Sequence, residues 1–82
     1  MILERASRVS GLSIAELTGP SRKHLPCLVR YAIMSELRHR GDKLEYIGAL
    51  LNRDHSTVKK GIREAEALRG NPIFESIRSA IA

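Results

Sequence analysis

Four consecutive residues, Asp54-His55-Ser56-Thr57, offer a carboxylate, an imidazole and two hydroxyls, flanked by Arg53, Lys59 and Lys60. Two chemistries use such groups. A Ser-His-Asp set can activate a hydroxyl for attack on an acyl carbon. The same side chains can read base edges in the major groove of duplex DNA. Spacing separates the two. Triad residues converge from separate places in a fold, whereas neighbours on a helix point about 100° apart. Adjacent Asp, His and Ser therefore diverge, and the chain holds no GxSxG turn. The pattern argues against hydrolysis. Metal binding fares no better: His24, His39 and His55 lie in three separate segments, without HExxH or paired cysteines. Neither a Walker A motif nor GxGxxG is present. The protein is expected to be no enzyme, with no metal and no cofactor.

The elements that must carry these residues are helical, because the apolar positions recur at helical spacing and no alternating run appears. Ile2, Leu3, Ala6 and Val9 form a first stripe, ended by Gly11. Ser13 and Glu16 have capping-box spacing and open a short helix that stops at Gly19-Pro20. "SRKH" at 21–24 reads as a basic loop. Leu25, Leu28, Val29, Ala32, Ile33 and Leu37 mark a longer helix over roughly 25–39, ended by Gly41, with Pro26 tolerated in its first turn. Asp42 is the expected N-cap of the next helix, which turns Leu44, Ile47 and Leu51 inward. Asn52 suits a left-handed turn. A further helix starts near Asp54 and buries Val58, Ile62, Ala65 and Leu68 before Gly70. Asn71-Pro72 is an N-cap followed by proline at N1, and Ile73, Phe74, Ile77 and Ile81 form the last stripe. Residues 43–68 thus outline a short helix, a tight turn and a longer helix, with Gly48 allowing close approach of the two.

Size and charge bound the function. A chain of 82 residues makes one domain, and buries only about 60–65% of its unfolded surface, leaving little room for a deep substrate cavity. Lysine and arginine number 14 against 9 acids, for a net charge of +5. The excess is local. Residues 21–40 hold Arg22, Lys23, Arg30, Arg38 and Arg40 against Glu36 alone, while residues 1–20 and 61–82 are each balanced. A surface patch that attracts polyanions is expected. The single cysteine, Cys27, permits no internal disulfide and fits a reducing compartment. No stretch approaches the about 20 apolar residues of a membrane span, and "MILERASRVS" mixes acid and base unlike a signal peptide. A cytoplasmic, nucleoid-associated protein is expected.

On the helix that starts near Asp54, the face opposite the buried stripe carries Ser56, Lys60 and Arg63, flanked by Thr57 and Lys59. That stripe suits a groove-facing helix entering N-terminus first, the pose in which His55 also reaches bases. Asp54 can cap the helix or accept a hydrogen bond from an exocyclic amine. Asp54, His55 and Ser56 are the candidate base readers. Arg53, Thr57, Lys59, Lys60 and Arg63 are candidates for phosphate contact. Arg22 and Lys23, on the basic loop, are candidates for a second region of the duplex.

"RDHSTV" at 53–58, preceded by "IGALLN" at 47–52, resembles the signature of the C-terminal DNA-binding domain of the bacterial replication initiator DnaA. The resemblance extends through "GPSR" at 19–22, "RYAIM" at 30–34 and "SIAEL" at 13–17, and covers roughly residues 1–69. It implies an all-α fold containing a helix-turn-helix like that of the Trp repressor. It also implies that Asp54, His55 and Ser56 read bases, that Arg53, Thr57 and Lys60 lie near phosphates, and that Arg22 belongs to a minor-groove loop. Ser56 stands where a threonine is common, and the ATPase portion of the initiator has no counterpart here. A compact bundle of about six helices that binds double-stranded DNA as a monomer or weak dimer is expected, regulating transcription or replication initiation. DnaA or other replication proteins are further partners the resemblance suggests. The rival reading is a protein-interaction adaptor or inhibitor docking on a replication protein.

Overall fold

The computed structural model describes residues 1–82 as six α-helices without strands: α1 (Ile2–Ser10), α2 (Ile14–Thr18), α3 (His24–His39), α4 (Leu44–Leu51), α5 (His55–Ala67) and α6 (Pro72–Ile81). The all-α bundle of about six helices expected from the apolar spacing is what forms. The helices fill 27 × 26 × 23 Å. The longest, α3, runs through the middle and touches each of the other five. Its inner residues Leu28, Val29, Ala32, Ile33, Met34 and Leu37 carry the core, joined by Leu17, Ile47, Leu51, Val58, Phe74 and Ile81.

Local chemistry sets most of the boundaries. Ser13 and Glu16 close a full capping box on α2. Asp54 caps α5, and the Asn71 carboxamide accepts from the amides of Ile73 and Phe74 ahead of Pro72. Gly11, Gly41 and Gly70 stop their helices in the left-handed region, where a side chain would be strained. Asn52 takes the same conformation, with φ of 57°, in the turn between α4 and α5. There the Arg53 amide donates to the Gly48 carbonyl at 2.8 Å. A side chain at Gly48 would press into the Arg53 carbonyl oxygen, so α4 meets the turn closely only because residue 48 is glycine.

Several expectations are corrected. His24 opens α3 rather than ending a loop. Asp42 does not cap α4. Its amide closes the end of α3 by donating to the Leu37 carbonyl, so α4 begins one residue later with Lys43 as an N-cap without a side-chain bond. Val9, Leu25 and Ile73 follow helical spacing yet are 44%, 38% and 60% exposed. They sit at the outer margin of their stripes and, with Pro72 and the outer edge of the core residue Ile77, line a shallow surface groove. Ile62 and Leu68 are only partly buried against the core. No helix is long and apolar enough to cross a membrane.

Candidate nucleic-acid interface

The first turn of α5 presents its polar residues to solvent. His55, Ser56 and Thr57 are exposed, as are Lys59, Lys60 and Arg63 further along. Val58, Gly61 and Ala65 point the opposite way into the protein. Val58 is fully buried and anchors the helix tip. His55 is thus freely accessible. Asp54 does the capping job: its Oδ1 accepts from the Thr57 amide at 2.8 Å. That amide hydrogen bond, with one from the Thr57 side chain, holds the Asp54 carboxyl below the usual carboxylate range. Capping occupies one oxygen, so the carboxylate keeps acceptor capacity on the other.

Arg53 departs from its expected role at a phosphate. It is only partly exposed, and its guanidinium is turned inward onto main-chain carbonyls. Nη1 donates to Thr18 at 3.3 Å, Leu51 at 2.9 Å and Asn52 at 3.2 Å, and Nη2 donates to Gly19 at 2.5 Å. The cause is the end of α2, whose terminal carbonyls have no partner within the helix and lie against the α4–α5 turn. Asn52 adds a bond from its carboxamide to the Thr18 carbonyl at 3.3 Å. Arg53 therefore ties the 18–19 segment to the turn that precedes α5.

A second arginine, counted from sequence only as part of the basic excess, works beside it. Arg30 is 4% exposed. Its Nε donates to the Leu17 carbonyl at 2.7 Å, Nη1 to Ser21 at 2.7 Å, and Nη2 to Glu16 at 2.8 Å and Gly19 at 3.2 Å. Nη1 also meets the Cys27 sulfur at 3.7 Å. No carboxylate pairs with either guanidinium. Burial, and then the neighbouring Arg53 charge, lower the Arg30 pKa from its ordinary value, but arginine stays protonated in proteins. The sequence did carry a sign of this burial. Arg30 falls on the row Pro26, Ile33, Leu37, whose other members are all buried.

The two arginines bring the basic loop and α5 to either side of one cleft. It measures about 800 Å³ and is bounded by Gly19, Pro20 and Ser21 with Arg22 on one side, and by Thr57 with Lys60 on the other. Arg30, Tyr31, Met34, Asn52 and Arg53 form its floor and ends. Of the sequence-derived candidates, Arg22, Arg53, Thr57 and Lys60 thus share a single surface depression. Lys23 is exposed next to it at the start of α3. His55, Ser56, Lys59 and Arg63 lie outside the cleft on the remaining exposed arc of α5. Gly61 escaped the sequence reading. A side chain there would press into the Met34 sulfur and the Tyr31 ring, so this glycine sets how closely α5 seats on α3. A glycine inside an otherwise good helix was the available signal. No group of histidine, cysteine and carboxylate side chains could hold a metal ion.

No family model, no curated protein and no solved structure matches this chain.

Proposed function

We propose that the protein binds double-stranded DNA through α4, the 52–54 turn and α5, with the N-terminal turn of α5 in the major groove and the Arg22-Lys23 loop on the adjoining backbone or minor groove. One observation carries this reading. The two exposed cationic segments, unlinked in sequence, are held side by side by arginine bonds to the carbonyls of 18–21, with Gly19 accepting from both arginines. Asp54, His55 and Ser56 stand at the tip as base readers, and Thr57, Lys59, Lys60 and Arg63 follow as phosphate contacts. The likeness of "RDHSTV" to the DNA-binding domain of DnaA supports the same reading, with a Trp repressor-like helix-turn-helix and a role in controlling transcription or replication initiation.

Fluorescence anisotropy on duplexes selected from a random pool tests it. His55→Ala is expected to cost about 1–3 kcal/mol on the selected duplex and little on a scrambled one. Lys60→Ala is expected to weaken both alike and lower the salt slope by about one. Failure to bind any duplex at moderate salt refutes the proposal. The adaptor reading has one observation in its favour, the groove that exposes Val9, Leu25 and Ile73. Specific capture of a replication protein without a duplex mobility shift would support it instead.

A further inference from the structure

We propose that the cleft between the Gly19–Arg22 segment and α5 is a phosphate seat, a site for one phosphate-type anion rather than a stretch of evenly charged surface. This deepens the DNA-binding reading and rests on it for the natural source of the phosphate. The cleft is lined by Arg22, Arg30, Arg53 and Lys60 and by no acidic side chain. Two carboxylates stand beside lining residues without lining the cleft themselves: Asp54, which accepts from the Thr57 amide, and Glu64, which bears on Tyr31.

The charges in the cleft play two parts. Arg30 has its guanidinium donors committed to four carbonyls and the Cys27 sulfur, so it adds field without offering bonds. Arg53 is anchored to carbonyls through both terminal nitrogens, while its Nε makes no bond within the chain. Carbonyl partners satisfy hydrogen-bond donors but leave the formal charge uncancelled. Two partly desolvated cations at the floor therefore favour a counter-anion in the space above. At the rim, Arg22 and Lys60 are exposed and make no hydrogen bond or ion pair within the chain, so their donors are available. Thr57 lies between, on the first turn of α5. Donors from two sides and a fixed positive floor match a tetrahedral oxyanion bearing one or two charges.

An internucleotide phosphodiester and a free phosphate compound share this chemistry, and the test separates them. Amide chemical shifts are followed during titration with pyrophosphate at constant ionic strength, on the wild-type chain and on Arg22→Ala/Lys60→Ala. Both substitutions are at exposed positions, and unchanged circular dichroism establishes that the variant folds. Saturable shifts confined to Ser21, Arg22, Thr57 and Lys60, lost in the double variant, are expected. In the second arm, duplexes carrying one methylphosphonate at each backbone position in turn are bound by both proteins. One position is expected to weaken wild-type binding at least about fivefold and leave the double variant unaffected, the scale of a lost charged hydrogen bond.

A response to pyrophosphate without any duplex binding would sustain the seat and overturn the DNA reading. A methylphosphonate effect without a pyrophosphate response would sustain it with the phosphodiester as its ligand. Duplex binding with no sensitive phosphate, together with pyrophosphate shifts that are absent, unsaturable or equally strong near Arg38 and Arg78, would overturn the seat and leave the DNA reading standing.

Discussion

Replacing Arg30 by lysine keeps the charge and most of the apolar stem, and so isolates the contribution of the planar guanidinium. Arg30 reaches four carbonyls, on Glu16, Leu17, Gly19 and Ser21, at 2.7–3.2 Å. A single ammonium cannot span that set, because its donors leave one nitrogen. The Leu17 carbonyl is bonded in the buried interior, and the other three are only partly shielded and can recover water. One buried acceptor left unpaired costs about 1–3 kcal/mol, and weakening of the charge-assisted bonds adds to it. Arg30→Lys is therefore expected to lose about 2–4 kcal/mol. The whole stability of a chain of 82 residues is on the order of 4–12 kcal/mol. Urea unfolding followed by far-ultraviolet circular dichroism measures the difference, provided the slope is unchanged. Arg30→Met serves as the control. If charge alone mattered, lysine would be neutral and methionine costly. If carbonyl geometry matters, both lose comparably. Lysine within about 0.5 kcal/mol of wild type, the range of an ordinary surface change, would refute the assignment of Arg30 as the clamp on the end of α2.

Three further outcomes follow from the geometry around the turn. Gly48→Ala forces a methyl group against the Arg53 carbonyl oxygen, and a loss of about 1–3 kcal/mol in thermal or urea unfolding is expected from overpacking against backbone. A stability equal to wild type would mean the turn can open without cost. Arg53→Ala releases the Thr18 and Gly19 carbonyls. Exchange at the amides of Leu17 and residue 53, which donate to the Ser13 and Gly48 carbonyls, should then quicken while exchange in α6 stays slow, and uniform behaviour would count against a local tie. Asp54 has a lowered folded-state pKa, so its stabilising effect is fully present above the ordinary value of 3.8 and drains away as pH falls through the lower folded value. Acid titration of wild type against Asp54→Asn should show the two stability curves converging in that window, and parallel curves throughout would remove the cap from the account.

What the sequence made legible was whatever local chemistry decides. Gly11, Gly41 and Gly70 end their helices, Ser13 and Glu16 close a box, and Asn71-Pro72 starts α6, because each acts over a few residues. Asp42 shows where local signals compete. The same residue can cap the next helix or close the previous one, and the left-handed Gly41 beside it decided for closure. The exposed tip of α5 was readable from helical spacing alone. The clamp the two arginines form was not, because the carbonyls of 16–21 that they share out lie 9 to 35 residues away in sequence. A charge count places every arginine at the surface; the apolar row of α3 hints that Arg30 is inside, and only packing reveals what it bonds there.

That hidden arginine bears on why a chain with so small a core tolerates a buried cation. A carboxylate partner would have satisfied Arg30 equally well but would have cancelled its charge. Main-chain carbonyls at the end of α2 satisfy it through dipoles, which complement a cation at a helix C-terminus and remain formally neutral. The local field thus stays positive while no buried donor goes unpaired. Arg53 repeats the arrangement on the neighbouring carbonyls, and Gly19 accepts from both. One set of bonds does two things at once. It fixes the loop bearing Arg22 and Lys23 against the turn that launches α5, and it leaves the space between them cationic. A substitution that installs an acid beside this pair, such as Asn52→Asp, should keep the fold, since Asn52 is exposed and loses only the one solvent-accessible bond from its carboxamide to the Thr18 carbonyl. It should also cut duplex affinity by about tenfold or more, because one unit charge at contact distance is worth about 1–4 kcal/mol in partly solvated surroundings. Titration of the Asn52→Asp variant with duplex at low salt measures this, and undiminished affinity would show that the field of the cleft plays no part in binding.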